Sequence, residues 1–291
     1  MKVAIVQQIC SQQQQENLNH SIQGIREAAS QGAKLILLPE LHIARYFCQV
    51  EDTRYFALAE PIPGPSTAIF SALAVELKVV LVISLFERRT AGIYHNTAVV
   101  LDTDGRIAGR YRKMHIPDDP GFYEKFYFTP GDLGFTPINT SIGCLGVLVC
   151  WDQWYPEAAR LMALAGAELL LYPSAIGWNP EDDAAEKYRQ REAWITIQRA
   201  HAIANGLPLL SSNRVGIEAN PNQHIPGIQF WGTSFIAGPQ GELLTIGSTD
   251  EPIVLVTEID LQRTEKIRQI WPYFRDRRID SYGKLSQRYL D

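Results

Sequence analysis

Three features of the 291-residue sequence predict an α/β fold. Short apolar runs of strand length alternate with longer stretches that carry apolar residues at helical spacing. Several of the runs are apolar at nearly every position, as in strands that are covered on both faces of a sheet. No Ser/Gly-rich linker interrupts the alternation, so we expect one domain that spans residues 1–291.

In the first half of the chain, the pattern predicts buried strands that are covered by two helices. Leu18, Ile22 and Ile25 lie at helical spacing, and Gly32 supplies the stop signal of that helix. Asp104-Gly105 is typical of a hairpin turn. The predicted strands are 2–8, 34–38, 79–86, 97–101 and 106–111, and the predicted helices are 17–30 and 66–78.

In the second half, the alternation of strands and helices continues after a long irregular segment. Residues 113–132 are rich in proline and aromatic residues, and loops of that length inside compact domains are usually functional. The helical pattern after Pro156 ends at Ala165, and a longer helix is predicted over 184–205. The predicted strands are 145–149, 168–172, 209–212, 230–237, 242–246 and 252–259.

An internal echo links the two halves. Residues 32–39 and 166–173 match position for position in character, and an Ala-rich helical pattern precedes each. We interpret them as two related helix–strand units, with common helix-stop chemistry as the alternative explanation. The residue after the proline differs, because Glu40 follows in the first copy and Ser174 in the second.

Composition limits the classes of function. The formal charge of −5 and the pI of about 5.7 offer no basic surface for nucleic acid, and 46% of the residues are hydrophobic, which is a globular composition. No apolar run reaches the roughly 18 residues that a membrane span needs, and residues 1–10 are too polar for a signal peptide. We therefore expect a cytoplasmic protein. Its four cysteines lack metal-type spacing, so we expect free thiols and no metal site.

Three polar residues stand at corresponding places in the predicted sheet. Glu40 follows strand 34–38, Lys113 follows strand 106–111, and Cys150 follows strand 145–149. Ligand sites in α/β sheets collect at the carboxyl ends of strands, so these side chains are expected to converge. A carboxylate can deprotonate a thiol, a lysine can stabilise an oxyanion, and a thiolate can attack a carbonyl or a nitrile.

Each residue also has a simpler interpretation. A single buried cysteine such as Cys150 is usually inert, and a single Glu or Lys after a strand is usually solvated. His115 is the tempting partner for a Cys–His mechanism, but the sequence shows no clear Asn or Asp to orient it.

The ordered set of motifs resembles the nitrilase superfamily of carbon–nitrogen hydrolases. The resemblance implies a four-layer αββα sandwich, assembly into a homodimer or larger homo-oligomer, and a cofactor-free triad of Glu40, Lys113 and Cys150. It also implies that Glu124 is a second carboxylate beside the lysine, and we expect the backbone N–H of Trp151 to bind the oxyanion. The motifs are Leu38-Pro39-Glu40, residues 111–115, 149–152 and 155–157, and the auxiliary stretches 124–131 and 232–239.

Further segments most resemble the N-carbamoylputrescine amidase branch of this superfamily: residues 115–125, 174–178, 212–214 and 274–278. The resemblance implies cleavage of N-carbamoylputrescine to putrescine, CO2 and NH3 in polyamine biosynthesis. The alternatives are hydrolases of N-carbamoyl-D-amino acids or N-carbamoyl-β-alanine, and omega-amidase-like relatives. The N-carbamoyl-amino-acid hydrolases carry an arginine pair shortly after the cysteine, where this chain has Gln153 and Trp154. A catalytically silent scaffold would be expected to have a broken triad.

A diamine tail requires acidic or aromatic partners. We predict Asp152, Trp178, Asp182 and Asp183 as substrate-binding residues, with a solvated acidic loop as the alternative for the last two. The C-terminal extension 263–291 contains four aromatic residues from Trp271 to Tyr282 among many charges. We predict that it forms oligomer contacts, the alternative being that it packs against its own domain.

Overall fold

The computed structural model describes residues 1–222 and 226–290, so Asp291 of the predicted C-terminal extension lies outside the described residues. The helices are α1 (Gln14–Ser30), α2 (Pro65–Leu77), α3 (Pro156–Leu164), α4 (Ala184–Asn205) and α5 (Leu261–Ile270). The strands are β1 (Lys2–Gln7), β2 (Leu35–Leu37), β3 (Val80–Thr90), β4 (Ile93–Leu101), β5 (Ile107–Arg112), β6 (Ile138–Thr140), β7 (Gly143–Val147), β8 (Leu169–Ser174), β9 (Gly177–Trp178), β10 (Leu209–Asn213), β11 (Val215–Glu218), β12 (Ile228–Trp231), β13 (Phe235–Ala237), β14 (Leu243–Ile246) and β15 (Ile253–Glu258).

Two six-stranded sheets have matching organisation. The order is β15-β1-β2-β3-β4-β5 in the first sheet and β14-β13-β10-β8-β7-β6 in the second. In the first, β2 lies between the parallel strands β1 and β3; in the second, β8 lies between the parallel strands β10 and β7. The two segments that echo each other in sequence therefore form equivalent central strands.

The structure has four layers, because side chains that alternate along each strand pack against the other sheet on one face and against helices on the other. Val3 and Ile5 of β1 face the core that the two sheets share, whereas Ala4 and Val6 face helices α1 and α2. Strand β2 divides in the same way, and both faces are apolar because both are covered. Helices α3 and α4 pack on the far side of the second sheet. The predicted αββα sandwich is confirmed.

Several local predictions were wrong. The predicted strand 230–237 is two strands in different sheets, because the chain turns at Gly232 and Thr233, both with positive φ. A small third sheet, β11-β12-β9, and helix α5 were not predicted. In the described part of the chain, no helix is both long and apolar enough to cross a bilayer.

Candidate active site

The ends of three strands bring Glu40, Lys113 and Cys150 together. Glu40 follows β2 and Lys113 follows β5, both in the first sheet, while Cys150 follows β7 in the second sheet. All three are buried, with exposed fractions of 0%, 1% and 4%. Lys113 contacts the carboxylate of Glu40, and the charges of both residues act on the Cys150 thiol, so the convergence inferred from strand order is present in the structure.

The Lys113 ammonium lies between two carboxylates. Its Nζ donates to Oε1 of Glu40 at 2.8 Å and to Oε2 of Glu124 at 2.6 Å. Burial by itself disfavours the charged lysine, but the charges of Glu124 and Glu40 outweigh burial and hold the pKa of Lys113 well above its usual range. Lys113 is thus a permanent cation, suited to bind a developing oxyanion.

Glu40 has one occupied and one free carboxylate oxygen. Oε1 accepts from Lys113 and from Nδ2 of Asn96, the latter at 2.6 Å. Oε2 is buried and has no hydrogen-bond partner among the described residues. A buried carboxylate oxygen without a donor is unfavourable, and no group in the described part of the protein competes with an incoming proton donor for Oε2.

Cys150 occupies a strained turn between strand and helix. Its φ is +43°, and it opens a 3-10 helix over Cys150–Trp154 that leads into α3. The left-handed conformation costs a non-glycine residue about 1–2 kcal/mol, which the surrounding packing must offset. Burial and the charge of Glu40 raise the pKa of the Cys150 thiol well above its usual range, although Lys113 opposes them. The resting thiol is therefore protonated, and its activation requires a base.

Glu124 completes the charged cluster. Its Oε1 accepts from the Tyr46 hydroxyl at 2.8 Å, and its Oε2 binds Lys113. Burial, together with the charge of Glu40, raises the pKa of Glu124 to about 7 against the opposing effect of Lys113. Tyr46 was not predicted, because nothing in its sequence context distinguishes it from other aromatic residues of the same loop.

A cavity of about 480 Å³ opens beside Cys150. Its walls include the indoles of Trp151, Trp154 and Trp231 and two acidic side chains, Asp119 and Asp182, in addition to Glu124. Among the described residues that line it, none is a lysine, arginine or histidine. The cavity therefore combines aromatic walls with negative charge, which suits a small cationic ligand.

The predicted substrate-binding residues differ in position. Asp182 lines the cavity, and its Oδ2 accepts from Gln190. Asp183 is exposed and caps α4 by accepting from the N–H of Glu186 at 2.8 Å. Trp178 is buried outside the lining, and its Nε1 donates to the carbonyl of Lys187. Only Asp182 of these three is thus placed to meet a ligand.

Asp152 has an internal role instead of the predicted contact with substrate. It is fully buried, and its Oδ1 accepts from the N–H of His115 at 3.0 Å and pairs with His115 Nδ1 at 2.7 Å. Its Oδ2 accepts from the Tyr111 hydroxyl and from the N–H of Val149, both at 2.9 Å. These contacts tie the turn that carries Cys150 to the segment that follows Lys113.

The fold and this site define a hydrolase that acts on amide carbon–nitrogen bonds. A family model for carbon-nitrogen hydrolases matches residues 2–269, and the chain belongs to that family. The predicted membership of the nitrilase superfamily is confirmed.

Similar proteins agree with this assignment. The chain is 44% identical over 287 residues to an N-carbamoylputrescine amidase of Oryza sativa subsp. japonica, covering 98% of this chain and 94% of that protein. It is 40% identical over 290 residues to a citrullinase of Francisella tularensis, with 99% of each chain covered. A crystal structure of a carbon-nitrogen hydrolase from Helicobacter pylori G27 superposes with a TM-score of 0.96 at 54% identity, over 100% of both chains.

Proposed function

We propose that this hydrolase cleaves N-carbamoylputrescine to putrescine, CO2 and NH3, a step in polyamine biosynthesis. The observation that carries the proposal is the cavity beside Cys150, whose described lining holds Asp119 and Asp182 and no cationic side chain. A ureido group attached to a cationic tail fits that distribution of charge. Similarity to the rice N-carbamoylputrescine amidase supports the same substrate.

In the proposed acylation step, Oε2 of Glu40 takes the proton of the Cys150 thiol as sulfur attacks the ureido carbon. The free, buried position of Oε2 supports this role. Lys113 and the backbone N–H of Trp151 stabilise the oxyanion, which is important because ureas are poor electrophiles. Glu40 then returns the proton to the leaving ammonia.

In the proposed deacylation step, Glu40 activates a water molecule that attacks the carbonyl carbon of the thioester. The carbon–sulfur bond breaks, and the thiol regains its proton from Glu40. The released carbamate loses CO2 and leaves putrescine. Glu124 keeps Lys113 charged and in place through both steps, as its 2.6 Å contact supports.

Citrulline is the second candidate substrate, favoured by 40% identity to a citrullinase. It shares the ureido end and an ammonium group but also carries a carboxylate. That carboxylate would require a cationic partner, as would the carboxylate of an N-carbamoyl amino acid. The described lining of the cavity offers the carboxylates of Asp119 and Asp182 instead of a cation. We therefore expect citrulline and N-carbamoyl amino acids to be poorer substrates than N-carbamoylputrescine.

The deciding assay is ammonia release from N-carbamoylputrescine, L-citrulline, N-carbamoyl-β-alanine and an N-carbamoyl-D-amino acid, with Cys150→Ser as the blank. We expect the highest kcat/KM for N-carbamoylputrescine. A higher value for any of the three acids would reject the proposed substrate while retaining the amide hydrolase assignment.

We also infer that the protein assembles with copies of itself through the C-terminal extension. Ile279, Leu285 and Tyr289 expose 73%, 68% and 76% of their surfaces. Apolar side chains clustered on one exposed segment are typical of interfaces. By contrast, Phe274 packs beneath Arg160 and Arg268 of its own chain, so the extension begins as part of the domain.

A further inference from the structure

A buried ion pair outside the catalytic cluster holds the loop that carries Glu40. Arg214 lies between β10 and β11, and its side chain is fully buried. Its Nη1 donates to Oε1 of Glu218 at 2.8 Å, and the Glu218 side chain is only 3% exposed. Neither residue lines the cavity beside Cys150.

The Arg214 guanidinium binds main-chain oxygens of the segment that begins at Glu40. Its Nη2 donates to the carbonyl of Glu40 at 2.7 Å and to that of Leu41 at 3.1 Å, and Nη1 reaches the carbonyl of Ala44 at 3.3 Å. One planar group with several donors thereby fixes three carbonyls of the loop.

Glu218 holds the other end of the same segment. Its Oε2 accepts from the backbone N–H of Tyr46 at 2.6 Å, while Oε1 binds Arg214. The guanidinium also lies over the ring of Tyr46, at 5.7 Å from its centroid. The ion pair thus clamps residues 40–46 at both ends.

This segment carries one of the two carboxylates that surround Lys113 and contacts the other. Glu40 itself is the first, and the hydroxyl of Tyr46 donates to the second, Glu124. Leu41, which lies between Glu40 and Tyr46 in the chain, has a φ of +49°. This left-handed conformation is unfavourable for leucine, so surrounding contacts must stabilise it. The Arg214–Glu218 pair is therefore among the contacts that hold this strained segment, and with it the base, in position.

We propose that Arg214 and Glu218 are positioning residues that aim the free oxygen of Glu40 at the Cys150 thiol. The inference rests on the proposed role of Glu40 as the base. A displacement of about 1 Å at a reacting group can cost about 100-fold in rate, so loosening the clamp should reduce thiol activation without emptying the binding cavity.

Glu218→Gln is the principal test, because it keeps the shape of the side chain. Both carboxylate oxygens accept hydrogen bonds, whereas the amide has a single acceptor oxygen, so one of the two contacts is lost. Arg214→Lys is the second variant, since one ammonium cannot replace the fork of the guanidinium. Asp102→Asn is the matched control: Asp102 is also a buried carboxylate paired with an arginine four residues away, at the β4–β5 turn.

The first readout is the rate of Cys150 alkylation by iodoacetamide, which does not depend on the identity of the substrate. We expect Glu40→Gln and Glu218→Gln each to slow alkylation by at least about 10-fold, and their combination to slow it no further than Glu40→Gln alone. Asp102→Asn should alkylate at the wild-type rate. In turnover, Glu218→Gln should lower kcat by about 100-fold at unchanged KM.

Three results would overturn the inference. If Glu40→Gln leaves alkylation unchanged, the proposed base fails and the positioning role fails with it. If Glu40→Gln slows alkylation but folded Glu218→Gln and Arg214→Lys do not, only the positioning role is rejected. Additive losses in the double variant would mean that the ion pair acts through general stability, which thermal unfolding of each variant reports independently.

Discussion

The backbone N–H of Glu40 donates to the carbonyl oxygen of Ser174 at 3.2 Å. These are the residues that follow Pro39 and Pro173 at the ends of the two echoing segments. The equivalent strands of the two sheets thus meet at the candidate active site. The first segment supplies the carboxylate of Glu40 to the site. At the equivalent position of the second segment, the hydroxyl of Ser174 donates to the side chain of Gln153 at 3.1 Å.

Replacing Cys150 with Ala should abolish ammonia release, by at least about 10⁴-fold, and leave the fold intact. Cys150→Gly should be equally inactive but more stable than Cys150→Ala by about 1 kcal/mol, because φ is +43° and glycine adopts it without strain. Ammonia assays and urea unfolding check both statements. Turnover close to the wild-type rate in either variant would exclude Cys150 as the nucleophile.

The stability of the folded protein should depend on pH through Glu124. Burial raises the pKa of this carboxyl from 4.5 to about 7, so the folded state binds its proton more tightly than the unfolded state. The stabilisation is complete below the unfolded pKa and is lost as the pH rises through about 7. Glu124→Gln should therefore gain stability relative to wild type as the pH rises from about 5 to about 8.

Urea unfolding across this pH range provides the measurement for Glu124. Glu51→Gln is the control for the loss of a carboxylate, because this side chain is exposed and lies outside the charged cluster around Lys113. A constant difference between Glu124→Gln and wild type would contradict the expectation.

Neutralising Asp119 or Asp182 should raise the KM for N-carbamoylputrescine by about 10-fold, a typical loss when a charge contact is removed. N-butylurea has the same chain length without the ammonium group, and its KM should not change. Asp183→Asn is the matched control, because Asp183 caps α4 and does not line the cavity. An equal rise in KM for both substrates would show that the Asp119 and Asp182 carboxylates do not bind the amine.

Replacing Ile279, Leu285 and Tyr289 together by serine should weaken self-association. These side chains are exposed in the single chain, so the substitutions remove little internal packing, and the melting temperature at low concentration should change little. Sedimentation velocity is the measurement, with a shift toward the monomer as the expected result. An unchanged assembly would assign these residues no part in the interface.

The sequence predicted the elements with strong periodicity and missed those that depend on distant partners. Helix α4 was predicted with its observed bounds, 184–205. In contrast, α5 buries only Thr264, so its sequence shows no apolar face. Strand β9 has two residues and exists because it pairs with β12, some fifty positions away.

In the candidate site, the predicted ends of the strands identified the catalytic residues. The directions of neighbouring side chains could not be predicted from the sequence. Asp152 is two residues from Cys150, yet the 3-10 turn directs its carboxylate to His115 and Tyr111. Asp119 was missed because its own loop is irregular. Arg214 was noted only as part of a family motif, since its contact with the Glu40 carbonyl joins residues 174 positions apart.

Because the triad is divided between the two sheets, the catalytic rate depends on how those sheets pack against each other. Glu40 and Lys113 follow strands of the first sheet and Cys150 follows a strand of the second, so their separation depends on the shared apolar core and on cross-sheet contacts such as that between Glu40 and Ser174. A small slip between the sheets would separate the base from the thiol while the hydrogen bonds within each sheet remain. On heating, activity should therefore fade at a lower temperature than the far-ultraviolet signal of the sheets.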